Sequence, residues 1–338
     1  MFPPDGYTKA KPGQVCLLQR SLYGLKQASR EWNSEFCTTF LAYGFTQSSH
    51  DHCLFIKVTN DHFLALLVYV DDVLVTGSHT EDIQHLKSHL DDLFTIKDLG
   101  FSKYFLGVEL ARSSQGTYLH QRKYILDIIA DTGTPLTDPN HYRRLIGRLM
   151  YLNFTRPDLT FAVQQLSQFV NSPDSSHWDA ALHVVRYLKG CPSTGLFYPS
   201  QSHTQLMAYS DADWGTCPDT RKSLTGYCVF LGGALISWKT KKQNTVSRSS
   251  AETEYRALTA TVCELQWISY IARDLQRTKH LDIDCHIVRN QFKDGFILLR
   301  HVSTKHQLAD IFTKSLGGSS FYTLLSKLSL QDFHRGLT

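Results

Sequence analysis

The chain lacks the short signatures of a secreted, membrane-spanning or metal-stapled protein. Its eight cysteines include no C-x-x-C pair, which argues against a zinc ribbon and a dithiol redox motif. The thiols therefore read as reduced, as in a cytoplasmic or nuclear setting. Long apolar runs are missing too. The longest, Phe63 to Val70, ends in two aspartates and falls well short of the ~20 residues that a spanning helix needs. The opening, Met1-Phe2-Pro3-Pro4-Asp5-Gly6, has neither the basic flank nor the apolar stretch of a signal peptide. No charge sign dominates: the net charge of +4 permits nucleic-acid binding without arguing for it. No internal repeat or low-complexity tract occurs. What is present is a globular composition, 42% hydrophobic and 20% charged, in 338 residues, enough for two or three domains with sizeable cores.

Two breaker-rich stretches divide the chain, Thr132 to Asn140 and Cys191 to Thr204. Between them Tyr142 to Lys189 reads as helices, interrupted at Arg156-Pro157-Asp158 and near Pro173. Strands and helices mix before the first boundary. After the second come strands, a long helix and another mixed stretch. Local charge gathers at Arg143, Arg144 and Arg148 and at Lys239, Lys241 and Lys242. Each cluster suits phosphate contact, and each suits a solvated face equally well. His50, His52 and Cys53 crowd together without a second ligand pair and read as turn residues.

The first chemical signal is a carboxylate pair. His62 to Val70 and Val73 to Thr76 are β-rich apolar runs with Asp71-Asp72 between them, so two strands should meet at a tip carrying two acids. A purely structural tip favours Asn-Gly or Asp-Gly, because a tight hairpin needs positive φ. Adjacent carboxylates repel, and a divalent cation relieves that. A solvated loop is the competing reading.

Further motifs flank this pair. Leu22-Tyr23-Gly24-Leu25-Lys26-Gln27 lies upstream with Arg30 and Trp32. Leu93 to Gly100 and Tyr104-Phe105-Leu106-Gly107 follow Tyr69-Val70-Asp71-Asp72. In this order the motifs resemble the reverse transcriptase of copia-type LTR retrotransposons, and the resemblance runs through almost the whole chain. It implies that Asp71 and Asp72 are catalytic metal ligands on a palm hairpin, with Gly24, Lys26 and Gln27 near the nucleotide and template. Tyr104 to Glu109 then resembles the primer-gripping hairpin, and Arg122 to Asp131 begins the thumb. Such enzymes use two metal ions, Mg2+ or Mn2+. The family takes a further aspartate from a strand ahead of the LYGLKQ segment, and Met1 to Tyr7 resembles the stretch that follows that strand. The chain is therefore expected to be truncated there, with Asp5 no substitute.

A second set of acids lies downstream. Gln205 to Trp214 reads as a strand ending in acids, and Thr225 to Leu231 and Ala234 to Lys239 form a hairpin across Gly232-Gly233. A helix starts at Ser249, where Ser249-Ser250-Ala251-Glu252 fits a capping box. At ~100° per residue, Tyr255, Leu258, Val262, Leu265, Ser269 and Ala272 share one stripe, and Glu254 falls within it. Two readings of Glu254 stay open: a partly buried acid sharing a metal with Asp211, or an edge residue reaching solvent. By the same resemblance, YSDADWG and SSAETEYRAL are RNase H motifs. Asp211, Glu254 and Asp310 are then catalytic metal ligands and Asp213 is structural. The family also has a central strand bearing a Cys-Asp-Asn segment, where this chain runs directly from Gln276 to Arg277. A strand is expected at Phe296 to Val302, and without its neighbour Asp211, Glu254 and Asp310 are expected not to converge. His280 and His286 receive no role.

The expected fold is α/β and α+β in series. Residues 1–133 form a partial reverse transcriptase palm with the start of the thumb, and 134–200 a helical connection. Residues 201–318 form an RNase H-like domain lacking one strand, and 319–338 a tail. The expected partners are an RNA template, an RNA–DNA hybrid and deoxynucleoside triphosphates, without a membrane. The implied activity is RNA-directed DNA synthesis with RNase H activity, catalytically defective in this chain. The rival is a non-catalytic remnant that binds nucleic acid or is inert.

Overall fold

A computed structural model of the chain describes residues 7, 9, 11, 13–15, 17, 27–59, 62–94, 96–132, 138–203, 205–276, 295 and 297–333. These form two compact units: Met1–Asp98 with Ile271–Lys279, and Leu99–Tyr270 with His280–Thr338. No helix among the described residues is long and apolar enough to cross a membrane.

The first unit begins with α1 (Ala28–Ala42), on which Trp32, Phe36 and Phe40 recur every four residues and turn one aromatic stripe inward. Gly44, at φ 95°, ends it: the Phe45 N–H reaches back to the Phe40 carbonyl at 3.0 Å and the Gly44 N–H to Leu41 at 3.1 Å. Glycine takes this left-handed position without steric cost and lets the chain satisfy the last carbonyls. Strands β1 (Thr46–Gln47), β2 (Leu54–Thr59), β3 (His62–Tyr69) and β4 (Asp72–Gly77) make an antiparallel meander, and α2 (Thr80–Phe94) follows. Leu64, Leu66 and Val68 of β3 pack with Phe36, Phe40, Phe55, Leu86 and Leu90. Ala65, on the other face, packs with Leu54, Ile56 and partly buried Ile271. Both faces of β3 are covered, so its apolar run is continuous rather than alternating.

The second unit holds a five-stranded sheet in the order β12-β8-β7-β6-β5: β5 (Tyr104–Phe105), β6 (Val108–Arg112), β7 (Gly116–His120), β8 (Thr194–Pro199) and β12 (Leu330–Asp332). Helices α3 (Arg122–Asp131), α4 (Pro139–Tyr151), α5 (Thr160–Ser167) and α6 (Ser175–Gly190) bury Ile125, Tyr142, Leu149, Val163, Trp178 and Leu188 in one core. The break between α4 and α5 anchors that core. Arg156 is fully buried and forks onto Asp158, Nε and Nη2 donating to its two oxygens at 3.0 and 2.7 Å. The Tyr187 hydroxyl donates to Asp158 at 2.8 Å, and Arg156 Nη1 donates to the Cys191 carbonyl at 3.0 Å. A buried pair with every partner supplied holds loop and helix together, and losing one member costs about 3–5 kcal/mol.

A separate sheet in the order β11-β10-β9 comprises β9 (Leu206–Ala212), β10 (Leu224–Leu231) and β11 (Ala234–Lys242). Gly232 and Gly233 turn the β10–β11 hairpin at φ 58° and 85°, as the sequence predicts. Helix α7 (Ser250–Gln276) follows. The Ser249 hydroxyl accepts the Glu252 N–H at 3.2 Å, while Glu252 accepts from the Arg248 N–H at 2.7 Å, so the cap is shared over two residues. Its buried positions are Thr253, Ala257, Thr261, Val262 and Ser269, and Tyr255 is 67% exposed. Of the expected stripe, Val262 and Ser269 are buried and Leu258, Leu265 and Ala272 half-buried, while Tyr255 stays outside and Thr253, Ala257 and Thr261 widen the inward face. Residues 297–303 form no strand. The strand expected at Phe296 to Val302 is therefore absent from its described part, and Phe296 itself lies outside the described residues. A strand persists only where a neighbour takes up its backbone groups, and β9 pairs with β10 alone among the described residues. A 3-10 turn (Leu308–Phe312) and α8 (Gly318–Leu325) complete the unit.

Candidate functional site

The first acid pair sits on the β3–β4 hairpin. Tyr69 pairs with Asp72, so Val70 and Asp71 are the two central residues and Asp72 opens β4. The tip is one residue earlier than the acids alone suggest. Val70 is held at φ 54°, where a β-branched side chain is strained. The Val70 side chain is exposed, as are Asp71 and Asp72. Gly24 and Lys26 lie outside the described residues. Gln27 is exposed at the start of α1, and its carbonyl accepts from the N–H groups of Arg30 and Glu31 at 3.1 and 3.0 Å. Among the described residues no third acid, histidine or cysteine joins Asp71 and Asp72 in a ligand cluster.

The second set comes from three elements. Asp211, next to last in β9, lies opposite Gly226 of β10, and both Asp211 and Asp310 are buried. A Cβ at Gly226 would lie 2.6 Å from Thr313 Cγ2, 2.8 Å from Phe312 Cβ and 3.2 Å from the Ala309 carbonyl. Only glycine lets the 3-10 turn lie this flat on β10, and that approach carries Asp310 to Asp211. Lys314, one helical turn after Asp310, donates to it at 2.6 Å and reaches Asp211 at 3.4 Å. The Thr313 hydroxyl also donates to Asp211. Glu254, the fifth residue of α7, is exposed at the helix surface.

Asp211 and Asp310 thus meet at Lys314, and Glu254 is not brought into one metal-ligand cluster with them. The 3-10 turn is seated by Gly226, Phe312 and Thr313, none of which depends on a further strand beside β9. Partial desolvation and then the Asp211 charge raise the Glu254 carboxyl above its usual range. Burial first, then Asp211, raises the Asp310 carboxyl despite the Lys314 bond. Carboxylate oxygens are hard donors of the kind a divalent cation takes. Lys314 neutralises part of their charge, and the three acids do not bring ligand atoms within 4.8 Å of one another.

Asp213 has a different job: its carboxylate accepts the Leu224 N–H at 2.7 Å and the Thr216 hydroxyl, closing the loop that leads into β10. Sequence reasoning missed Lys314, whose i,i+4 spacing from Asp310 was the available signal. It also missed Glu264, which accepts from the Ser237 and Tyr227 hydroxyls at 2.7 and 3.1 Å and fastens α7 to the sheet. The basic clusters are partly committed to structure. Arg143 donates to the Val170 carbonyl at 2.8 Å, and Arg148 pairs with Asp131 at 2.7 Å. Lys239 and Lys241 are exposed. His50 bonds Asp274 at 3.1 Å, and His280 and His286 lie outside the described residues.

Residues 1–144 match the family described as reverse transcriptase (RNA-dependent DNA polymerase). The chain is 38% identical to the retrovirus-related Pol polyprotein from transposon RE1 of Arabidopsis thaliana, over 97% of this chain and 26% of that protein. It is 39% identical to that from transposon RE2 of the same plant, with the same coverage, so it spans about a quarter of the length of either. A putative transposon Ty5-1 protein of Saccharomyces cerevisiae is 33% identical over 78% of this chain and 94% of its own length. No solved structure matches significantly. The chain belongs to the copia-type retrotransposon Pol polyproteins and carries a reverse transcriptase domain.

Proposed function

We propose that the chain binds RNA–DNA hybrid through an RNase H-like second unit and that this unit no longer cuts it. The observation that carries the reading is the approach of Asp310 to Asp211 across Lys314, with the Asp211 charge also raising the Glu254 carboxyl. Those three acids would hold Mg2+ or Mn2+, whose chemistry is to activate water and steady the leaving oxygen. Lys314 holds Asp310 and Asp211 in place and has to yield for the ion to enter. The edge of β9 has no outer neighbour among the described residues, and the family's Cys-Asp-Asn segment is missing from the sequence between Gln276 and Arg277. The donor set is therefore one carboxylate short. In the first unit Asp71 and Asp72 would serve a polymerase metal site on a palm hairpin, with template and deoxynucleoside triphosphate near Gly24, Lys26 and Gln27. The helices α3 to α6 would correspond to thumb and connection.

The decisive experiment incubates the full chain with labelled RNA–DNA hybrid and Mg2+ or Mn2+. Binding without cleavage is expected, and inserting a strand bearing an aspartate between Gln276 and Arg277 should restore cutting. Cleavage by the unmodified chain that disappears in Glu254→Gln would overturn the loss of activity. Absence of hybrid binding at low salt would overturn the whole reading.

A further inference from the structure

We propose that His62, His79 and Asp82 form a binding site for a divalent transition-metal ion of the zinc class, separate from both acid sites. The three residues come from the start of β3, the connection after β4 and the first turn of α2. Their ligand atoms all lie within 4.8 Å of one another, and among the described residues no other group of three does so. His62 Nδ1 is 2.6 Å from Asp82 Oδ2, and His79 Nδ1 is 4.0 Å from the same oxygen. The two imidazoles stack at 4.0 Å between centroids with 18° between their planes. Two rings turned together onto one carboxylate bring two nitrogens and an oxygen to one point, the donor arrangement that a divalent transition metal takes.

The ligands also stand on ordered elements. His79 Nδ1 lies 2.9 Å from the Ser78 hydroxyl, whose oxygen accepts the Phe63 N–H at 3.0 Å. One serine thus joins the His79 ring to the residue after His62, and its hydroxyl has to leave Nδ1 when that nitrogen takes the ion. Bonds of about 2.0–2.1 Å in a tetrahedral site put ligand atoms about 3.3 Å apart. The 2.6 Å separation must therefore open and the 4.0 Å separation close, each by less than 1 Å. Side-chain exposures of 49%, 48% and 27% leave room for that adjustment and for a water as fourth ligand. Two nitrogens and one oxygen favour Zn2+, Ni2+ or Cu2+ over Mg2+ or Ca2+.

The site is remote from the acid tip. Strand β3 runs from His62 to Tyr69, so at about 3.3 Å per residue the two ends are about 23 Å apart. An ion here would clip the open end of the β3–β4 hairpin to α2. The alternative is a plain His62–Asp82 ion pair with His79 stacked upon it.

Titration of the metal-free full chain with Zn2+, by calorimetry and by thermal melting in a reducing buffer, distinguishes the two. One equivalent should bind and raise the melting temperature, and the same concentration of Mg2+ should not. His79→Ala should abolish that equivalent, and Asp82→Asn should weaken it about tenfold or more. His79→Gln, with an exposed polar side chain of similar length, repeats the test in a variant that disturbs folding least. The proposal is overturned if wild type and both His79 variants bind Zn2+ alike, through the cysteines for example. It is equally overturned if wild type binds nothing at about 0.1 mM, where a useful site would be filled.

Discussion

Single side chains change character here according to which group of another element meets them. Cys217 is an example. Burial alone would raise its thiol, but Lys242 Nζ lies 2.8 Å from Sγ and Thr220 Oγ1 3.1 Å, and together with backbone donors they bring it down to about 7. Lys242 is also held by Gln168 Oε1 at 2.7 Å, so the ammonium is aimed rather than wandering. The thiolate is the reactive form and exists above the pKa, so alkylation by iodoacetamide should rise through a midpoint near 7. Lys242→Met should move that midpoint upward towards an ordinary thiol. Mass spectrometry of the Cys217 peptide across a pH series reads it. A midpoint unchanged by the substitution would remove the lysine from the account.

Among the elements, the seating of the 3-10 turn on β10 matters most to the second acid cluster. Gly226→Ala places a methyl group into Thr313, Phe312 and the Ala309 carbonyl. Overpacking against backbone costs typically 1–3 kcal/mol, so the midpoint of urea unfolding should fall accordingly. The turn should lift, and the Asp310 carboxyl should then return towards its ordinary range, because both causes of its shift, burial and Asp211, weaken together. Carboxyl NMR titration of Asp310 measures this. A variant equally stable, with Asp310 still shifted, would mean that Gly226 does not set the approach.

At the scale of the whole molecule, the nucleic-acid binding proposed above would draw on charges that the fold leaves unspent. Arg143 and Arg148 are engaged internally, whereas Lys239 and Lys241 stand two residues apart on β11 and are exposed. Alternate strand residues share a face, so both ammonium groups point the same way. Each phosphate neutralised adds ~0.9 to the slope of log affinity against log salt. Lys239→Gln with Lys241→Gln should therefore reduce the slope for RNA–DNA hybrid by about 1–2, with affinity lost about equally for all sequences. Fluorescence anisotropy between low and physiological salt gives the slope. An unchanged slope would send the search to another face.

What the sequence determined by itself is whatever depends on near neighbours along the chain. The breaks around Arg156 and Pro173, the Gly232-Gly233 hairpin and the Ser249 cap follow from turn chemistry, proline and short-range hydrogen bonds, all local forces. Membership of the copia-type Pol polyproteins was legible for the same reason, since its motifs are contiguous runs. The tertiary structure decided what depends on distance through space. It widened the inward face of α7 to Thr253, Ala257 and Thr261, small polar or short side chains that hydropathy does not mark. It brought Asp310 to Asp211 across a hundred residues, through the missing side chain of Gly226 and the reach of Lys314. It left 297–303 without a strand, because strand formation is a property of a pair and the run alone cannot supply its partner.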